Sequence, residues 1–498
     1  MSSSEVNLKI SKARDAFAAG KTKPLLFRRK QLENLLRLVD ENEQAICNAL
    51  KKDLNRPLFE SSTAECAIMH NMIVDTLDNL DEWAKPEFKS KNLLTLFSDA
   101  FVRKEPFGLC LVIASWNYPF ALLLIPVMAA ISAGNCVVLK PSESSTHCAA
   151  LCQDLIPKYL DKDCYPVVVL DGPQSADLVQ NNRFDFIFFT GGTEIGRSIM
   201  KSAAKYLTPV ILELGGKNPC YVDETCDLHV AAKRICWGRC VNSGQICLAP
   251  EYVLCHPSIR DKLVDEFRRV LIDFYGEDPQ KSPDYSRIIN DRQMARLKKQ
   301  LTATDGKIVI GGVVDEDDRY VSPTVVVDVK PTSSYMQQEM FGPILMIMTA
   351  TSADEAISII NKGEKPLALY IFSNNKAVVK RIIDNTSSGG ITVNDCTMHY
   401  AHNELPFGGV GNSGIGCYHG KYGFDAFSHK RSCLFDGTPE AMIKIRYPPY
   451  AKNNLRLFNF LLKKKQRSTG AVGTIKNLAK MGVFAVIIAY LLKFFFEA

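Results

Sequence analysis

The sequence predicts an α/β protein built on a parallel, doubly wound sheet and continued by a second α/β stretch. Three observations carry that expectation. Short, continuously apolar runs rich in β-branched residues begin at Leu109, as strands buried on both faces should read. Helix-length segments separate these runs, and strand alternating with helix at such spacing builds crossover units. One run ends in a glycine-rich turn, Phe189-Thr-Gly-Gly-Thr-Glu-Ile-Gly196, where sheets of this kind bind ligands beyond the carboxyl ends of their strands.

Taken in order, residues 25–54 space Leu32, Leu35, Leu36, Val39, Ile46 and Leu50 at three- and four-residue intervals, which predicts an amphipathic helix or helix pair. Strands are expected at 109–114, 136–139, 166–170, 185–189 and 210–214. Helices are expected between them at 120–133, 144–158, 174–181 and 194–204. The second stretch predicts helices at 228–241, 259–275 and 354–361. Its strands are expected at 307–310, 324–327, 344–348, 369–372 and 391–393. No internal repeat or long low-complexity linker interrupts the chain, so the two domains are expected to share a large interface, where pockets form.

Composition narrows the class. At 498 residues, 46% apolar and 23% charged, the chain is neither disordered, collagen-like nor polytopic in a membrane. Its net charge of +6 is concentrated at one end: residues 451–498 hold nine Lys/Arg and one Glu, leaving 51 basic and 53 acidic residues in the body. A body so balanced gives no reason to expect nucleic acid. Sixteen cysteines show no C-x-x-C pair and no regular framework, so a reducing compartment is expected. No secretory signal, myristoylation glycine, prenylation box or peroxisomal address is expected at the two ends.

Five segments carry residues suited to chemistry. Gly191 and Gly192 turn the chain from a strand into a helix, offering backbone N–H groups and a helix dipole to an anion; Thr193 takes the middle glycine's place in Gly191-x-Thr193-x-x-Gly196. Lys140 and Glu143 end another strand. A carboxylate there suits ribose hydroxyls and repels a 2′-phosphate, which favours NAD over NADP, while the alternative is a helix cap with Ser142 capping. Cys247 lies in the loop Asn242-Ser-Gly-Gln-Ile-Cys247-Leu-Ala-Pro250 rather than on an apolar face, as a nucleophile should, though most cysteines are simply small buried residues. Glu213 ends the last buried strand between leucines, where desolvation raises a carboxyl towards the range of a general base; pairing with a nearby lysine is the alternative. Asn117, in Trp116-Asn-Tyr-Pro119, is placed to donate to an oxyanion or to form an ordinary turn.

Together these segments resemble the aldehyde dehydrogenase superfamily. Trp116-Asn117-x-Pro119, Lys140-Pro-x-Glu143, Gly191-x-Thr193-x-x-Gly196, Glu213-Leu-Gly-Gly-Lys217, Gly244-Gln-x-Cys247, Glu339-x-Phe-Gly-Pro343 and Pro406-Phe-Gly-Gly409 follow the family's order and spacing across residues 104–432. The 34-residue gap from Glu213 to Cys247 fits as well. The closing Arg446-Tyr-Pro-Pro449 and the apolar extension resemble the class 3, or fatty aldehyde dehydrogenase, branch.

The resemblance implies that Cys247 attacks the aldehyde, with the oxyanion held by the Asn117 amide and the Cys247 backbone N–H, and that Glu213 activates the water releasing the acid. It implies that Lys140 and Glu143 hold the adenosine ribose. Thr190, Gly191, Gly192 and Gly196 then lie near the pyrophosphate, and Glu339 with Phe341 positions the nicotinamide ribose. NAD is the expected cofactor, with NADP left open, and no metal is expected. Family members often carry a polar residue where Gly192 stands, so any departure concerns the hold on the cofactor. The implied organisation is an NAD-binding domain (1–87 and 106–214), a catalytic domain (215–410) and a small β bridging element (88–105 and 411–444) that extends a partner's sheet in a homodimer. An amphipathic helix near the substrate entrance (445–462) and a basic, apolar tail (463–498) complete it. CoA-dependent release of the thioester and a non-catalytic membrane scaffold are the competing readings; Glu213 and Cys247 argue against them.

The tail predicts a membrane helix. Residues 481–492 are uncharged and apolar, and a helix from Met481 to Phe496 would be about 24 Å long against a hydrocarbon core of about 30 Å. Lys463, Lys464, Lys465, Arg467, Lys476 and Lys480 precede it, placing the body on the cytosolic side of the endoplasmic reticulum, a peroxisome or the mitochondrial outer membrane. Whether the tail spans or lies in the interface stays open. An anchored enzyme would meet medium- to long-chain aldehydes, which partition into bilayers.

Overall fold

The computed structural model describes residues 1–92 and 94–462. It divides into two units, Met1–Lys85 with Lys104–Lys430, and Pro86–Arg103 with the chain from Arg431. Residues 411–430 therefore cluster with the first unit.

The first unit opens with the helix Ser3–Ala18 and a helix pair, Leu25–Glu41 and Glu43–Leu54, that break at Asn42. Their apolar stripe, including Leu32, Leu35, Val39, Ile46 and Leu50, is buried. A short helix, Leu58–Ser61, then widens into a π-helical stretch, Ser62–Ala67, before Ile68–Ala84.

The strands, in chain order, begin with β1 (Glu87–Phe88) and β2 (Asp99–Pro106), followed by β3 (Leu109–Ile113), β4 (Cys136–Lys140), β5 (Phe186–Thr190) and β6 (Val210–Glu213). Next come β7 (Pro219–Val222), β8 (Tyr252–Cys255), β9 (Lys307–Ile310) and a hairpin of β10 (Val314–Asp315) and β11 (Tyr320–Val321). The last are β12 (Thr324–Val327), β13 (Ile344–Thr349), β14 (Ala368–Phe372), β15 (Gly390–Val393), β16 (Gly414–Ile415) and β17 (Ser428–Phe435).

The first large sheet has the order β16-β6-β5-β3-β4. Its four consecutive strands are parallel and β16 runs antiparallel to β6. From β3 the chain crosses to β4 on one side, then returns to β5 on the other. The gap between β3 and β5 is thus a topological switch point, where ligands of such sheets bind. The register puts Ile113 beside both Lys140 and Phe189, and Glu213 beside both Thr190 and Gly414, so the ends of the strands share one edge.

The second sheet has seven strands in the order β15-β14-β7-β8-β13-β12-β9, parallel except for β9. The link Leu214–Asn218 joins β6 of one sheet directly to β7 of the other.

One expected strand is corrected. Pro166–Leu170 is buried but forms only a single bridge, Val167 to Leu139, because Pro166 has no N–H with which to extend a ladder. The alternative in which Ser142 caps the following helix is not realised. That helix begins at Thr146, and its first N–H groups, on His147 and Cys148, donate to the Asp53 carboxylate at 3.1 and 2.9 Å.

In the second unit, β1 pairs antiparallel with β2, and the three-stranded sheet has the order β1-β2-β17. Phe101 packs between Phe88 and Phe435, with ring centroids 5.4 and 5.2 Å apart. A helix forms at Lys452–Leu462 and exposes Leu455 and Leu457. The expected membrane helix lies outside the described residues; among those described, no helix is long and apolar enough to cross a membrane.

Candidate active site

Cys247 is placed by a turn with unusual backbone. The helix Leu228–Cys240 gives way to Val241–Gly244, in which Asn242, Ser243 and Gly244 all adopt positive φ (53°, 51° and 69°). Only Gly244 takes such a conformation without strain, so the surroundings must hold the other two. They do so with buried hydrogen bonds. The Asn242 amide donates to the Asn117 carbonyl (3.1 Å) and its N–H donates to Glu60 (2.9 Å), while Ser243 Oγ donates to the Ser286 carbonyl (2.6 Å). The Gln245 amide donates to Asn242 and Arg287 carbonyls, and its oxygen accepts from Ile289 N–H.

Cys247 is half-buried as a residue, and its own N–H and that of Leu248 are directed at its thiol. Burial of the site, with Glu339 and Glu213 nearby, pushes the thiol well above the ordinary cysteine range. Asn218 Nδ2 donates to the carbonyls of Cys247 (2.7 Å) and Ala249 (3.0 Å), while its oxygen accepts from Ala368 N–H. One side-chain amide therefore ties the cysteine loop to β14.

Asn117 follows β3 and is buried. One N–H of its amide donates to the Gln245 carbonyl at 3.1 Å, two residues from Cys247; an amide has a second to offer. Arg56 fixes the backbone here, donating to the Asn117 carbonyl and to Asn242 Oδ1 (3.1 Å) while paired with Glu65 at 3.0 Å. Glu65 in turn accepts from the N–H groups of Phe120 and Ala121.

Glu213 ends β6. Its carboxyl is buried, neither oxygen has a hydrogen-bond partner, and burial alone pushes its pKa well above the ordinary value of 4.5. A native carboxyl left unpaired in this way needs a reason, and readiness to exchange a proton supplies one. Tyr400, Tyr418, His419 and Phe407 pack as an aromatic group close by, with ring centroids 4.6 to 5.8 Å apart. Glu213 and Cys247 both push the phenols of Tyr400 and Tyr418 further up, after burial. Burial holds His419 down at about 3, so its ring is neutral, and neither ring nitrogen has a partner.

Glu339 and Phe341 arrive on a turn clamped by Arg296, which donates to the carbonyls of Met340 (2.7 Å) and Phe341 (3.1 Å). Phe341 has φ 45° and meets Trp116 edge to face at 5.2 Å. The Glu339 carboxyl is buried, one oxygen is without a partner, and burial followed by the charge of Glu251 pushes its pKa up to about 8. It lies against Gly215 so closely that a Cβ there would sit 1.9 Å from Oε2. Glu251 joins Lys217 (2.8 Å) and Arg239 (2.9 Å) in a buried ion cluster. Burial works against its charge, yet those two cations hold it below the usual carboxylate range. Lys217 also donates to the Gln338 carbonyl, and Glu251 accepts from Met340 N–H, so this cluster braces the Glu339 turn.

The residues expected to hold a cofactor lie at the carboxyl ends of the first sheet. Lys140, nearly buried at the end of β4, pairs with exposed Glu143 at 2.5 Å. Thr190 ends β5 with its hydroxyl buried and unpartnered. Gly191 N–H is spent on the Glu213 carbonyl, but the helix Thr193–Ala204 has no side-chain cap at Gly192, and a Cβ on Gly192 would meet nothing within 4 Å. Gly196 packs on Leu214, which a Cβ would approach to 2.7 Å. An uncapped helix N-terminus, the Glu143 carboxylate two strands away, the unpartnered Thr190 hydroxyl and one free oxygen of Glu339 suit a dinucleotide, with the anionic pyrophosphate at the helix end.

Sequence reasoning did not single out Asn218, Arg56, Glu65, Glu251 or Arg239, which position these groups. Asn218 and Glu251 each flank a motif that it did read, and a polar residue at the mouth of a buried apolar strand is the signal that marks them.

A family profile described as "Aldehyde dehydrogenase family" matches residues 1–433. The chain is 47% identical over 480 residues to mouse "Aldehyde dehydrogenase family 3 member A2", covering 96% of this chain and 98% of the relative. It is 50% identical over 447 residues to mouse "Aldehyde dehydrogenase, dimeric NADP-preferring", covering 90% and 98%. Among solved structures, the substrate-bound AldH of Staphylococcus aureus superposes with a TM-score of 0.88 at 38% identity, over 92% of this chain and 99% of that one.

Proposed function

This chain belongs to the aldehyde dehydrogenase family and oxidises aldehydes to carboxylic acids with NAD(P), and we propose that Cys247, Glu213 and Asn117 carry the reaction. The single observation that supports this most is the partnerless, buried Glu213 carboxyl beside the Cys247 loop. Cys247 gives up its proton to water, and its sulfur attacks the aldehyde carbon, forming a thiohemiacetal. The second N–H of the Asn117 amide and the Cys247 backbone N–H receive the oxyanion. The bound nicotinamide supplies the hydride acceptor. Glu213, ionised, takes a proton from water, which attacks the resulting Cys247 thioester and releases the acid.

Lys140 and Glu143 hold the adenosine ribose in this reading, the open N-terminus at Gly192 and the Thr190 to Gly196 turn hold the pyrophosphate, and Glu339 with Phe341 orients the nicotinamide ribose. Glu143 favours a free 2′-hydroxyl and hence NAD. The tail anchors the body to the cytosolic face of the endoplasmic reticulum, a peroxisome or the mitochondrial outer membrane; the match to the member A2 relative, 480 residues long, reaches into it. Medium- to long-chain fatty aldehydes are then the natural substrates. A homodimer, formed through the bridging element, accords with the word "dimeric" in the name of one relative.

Following NADH from hexadecanal and from a short water-soluble aldehyde, with and without CoA, tests this reading. Wild type is expected to prefer hexadecanal and to need no CoA, and Cys247→Ala to be inactive. Preference for the short aldehyde would overturn the substrate class, and an unchanged rate in the variant would overturn the nucleophile.

A further inference from the structure

Away from the catalytic residues, the second helix of the N-terminal pair and the π-helical stretch bring three metal-ligating groups together. Glu43 and Cys47 stand one turn apart on Glu43–Leu54 and so share a face. Cys66 reaches them from Ser62–Ala67. One ligand atom from each lies within 4.8 Å of the other two. We propose that Glu43, Cys47 and Cys66 form a binding site for one thiophilic divalent cation of the zinc class.

The donor set decides the class. Two sulfurs and one carboxylate match zinc or cadmium and are poor ligands for calcium or magnesium, which take oxygen. Zinc–sulfur bonds of about 2.3 Å put two sulfurs of a tetrahedral site about 3.8 Å apart, so the groups need close by only about 1 Å. Both thiols are buried, while Glu43 is exposed and gives the ion an entry path. Ser62 Oγ donates to Glu43 Oε1, which turns the carboxylate towards the segment that carries Cys66. Among the described residues no lysine or arginine pairs with Glu43. Binding forms two metal–sulfur bonds and one metal–oxygen bond, and both thiol protons leave to solvent. Water completes the fourth position.

Two other thiol contacts show what the proposed site has in addition. Cys136 with Cys164 and Cys220 with Cys396 also touch, but all four are fully buried, and although the Asp161 carboxylate lies beside Cys164, neither pair gathers three ligand atoms within reach of one ion. Among the described residues only the Glu43 cluster brings two thiols and a carboxylate within 4.8 Å of one another.

The test uses reduced, metal-free, full-length chain carrying Cys247→Ser, which removes the catalytic thiol as a competing ligand. Cobalt(II) is the optical probe and zinc the competitor. One equivalent of cobalt is expected to produce a near-ultraviolet thiolate charge-transfer band that one equivalent of zinc abolishes, and zinc is expected to raise the melting temperature. Adding Cys47→Ser should abolish the band. Glu43→Gln, at an exposed position that leaves folding intact, should weaken binding at least about tenfold, as loss of one ligand does. A parent that binds no cobalt, or a band unchanged by Cys47→Ser, would overturn the site. Unchanged affinity in Glu43→Gln would overturn the three-ligand assignment.

Discussion

Glu213 has a stability consequence that follows from its chemistry. Its pKa in the folded chain is raised by burial above 4.5, so the native state keeps a proton that the unfolded chain releases once the pH passes the ordinary carboxyl range. The unfolded chain then binds fewer protons, and stability declines as pH rises from there towards the raised folded value. Glu213→Gln cannot titrate and loses that slope. Melting from about pH 5 to about pH 8 is expected to show the variant gaining on wild type with rising pH, by at most about 1.4 kcal/mol per pH unit. Parallel curves would mean that the carboxyl is not held neutral. A base kept uncharged until it is needed thus costs stability, as catalytic groups commonly do.

At the scale of elements, two glycine turns respond oppositely to a side chain. Gly192 caps the helix Thr193–Ala204 with φ −75° and open space above it, so Gly192→Ser should leave stability within about 0.5 kcal/mol of wild type or improve it. Gly244 has φ 69°, and a Cβ there would lie 2.5 Å from the Gly342 carbonyl oxygen. Gly244→Ala should therefore cost about 2 kcal/mol or more and reduce kcat, because the strained turn beneath Cys247 must move. Denaturant titration and initial rates on the two variants check both.

These turns also show what was legible in the sequence. The strands β3 to β6 could be read because strands buried on both faces are continuously apolar, and the motif residues could be read because each follows such a strand or sits in a glycine-bounded loop. The run 166–170 looked the same but lies at the sheet's edge behind a proline. The short strands β7 and β8 were hidden among glycine and proline signals. The positive φ of Asn242 and Ser243 has no local signature, because it is imposed by partners distant in the chain. Arg56 stands 186 residues before Asn242 and 61 before Asn117; such pairings exist only once the fold has formed.

At the scale of the whole molecule, the charge of the chain separates into a nearly neutral enzyme and a basic tail with a net charge of +8. The proposed attachment would draw on attraction of about 1 kcal/mol per basic residue near an anionic surface and on the apolar end of the sequence. Full-length chain is expected to sediment with vesicles containing phosphatidylserine, and a truncation after Leu462 to stay in solution while keeping its rate on short aldehydes. Equal sedimentation of the two would assign attachment to the body.

In the proposed reaction Cys247 carries the acyl group and Glu213 delivers the water that removes it. Mass spectrometry of Glu213→Gln, quenched in acid shortly after mixing with NAD and hexadecanal, tests it most directly. The expected result is one acyl adduct per chain, located on Cys247, with about one equivalent of NADH formed in a burst and slow turnover thereafter. An adduct on another residue, or continued fast turnover without any adduct, would contradict the account.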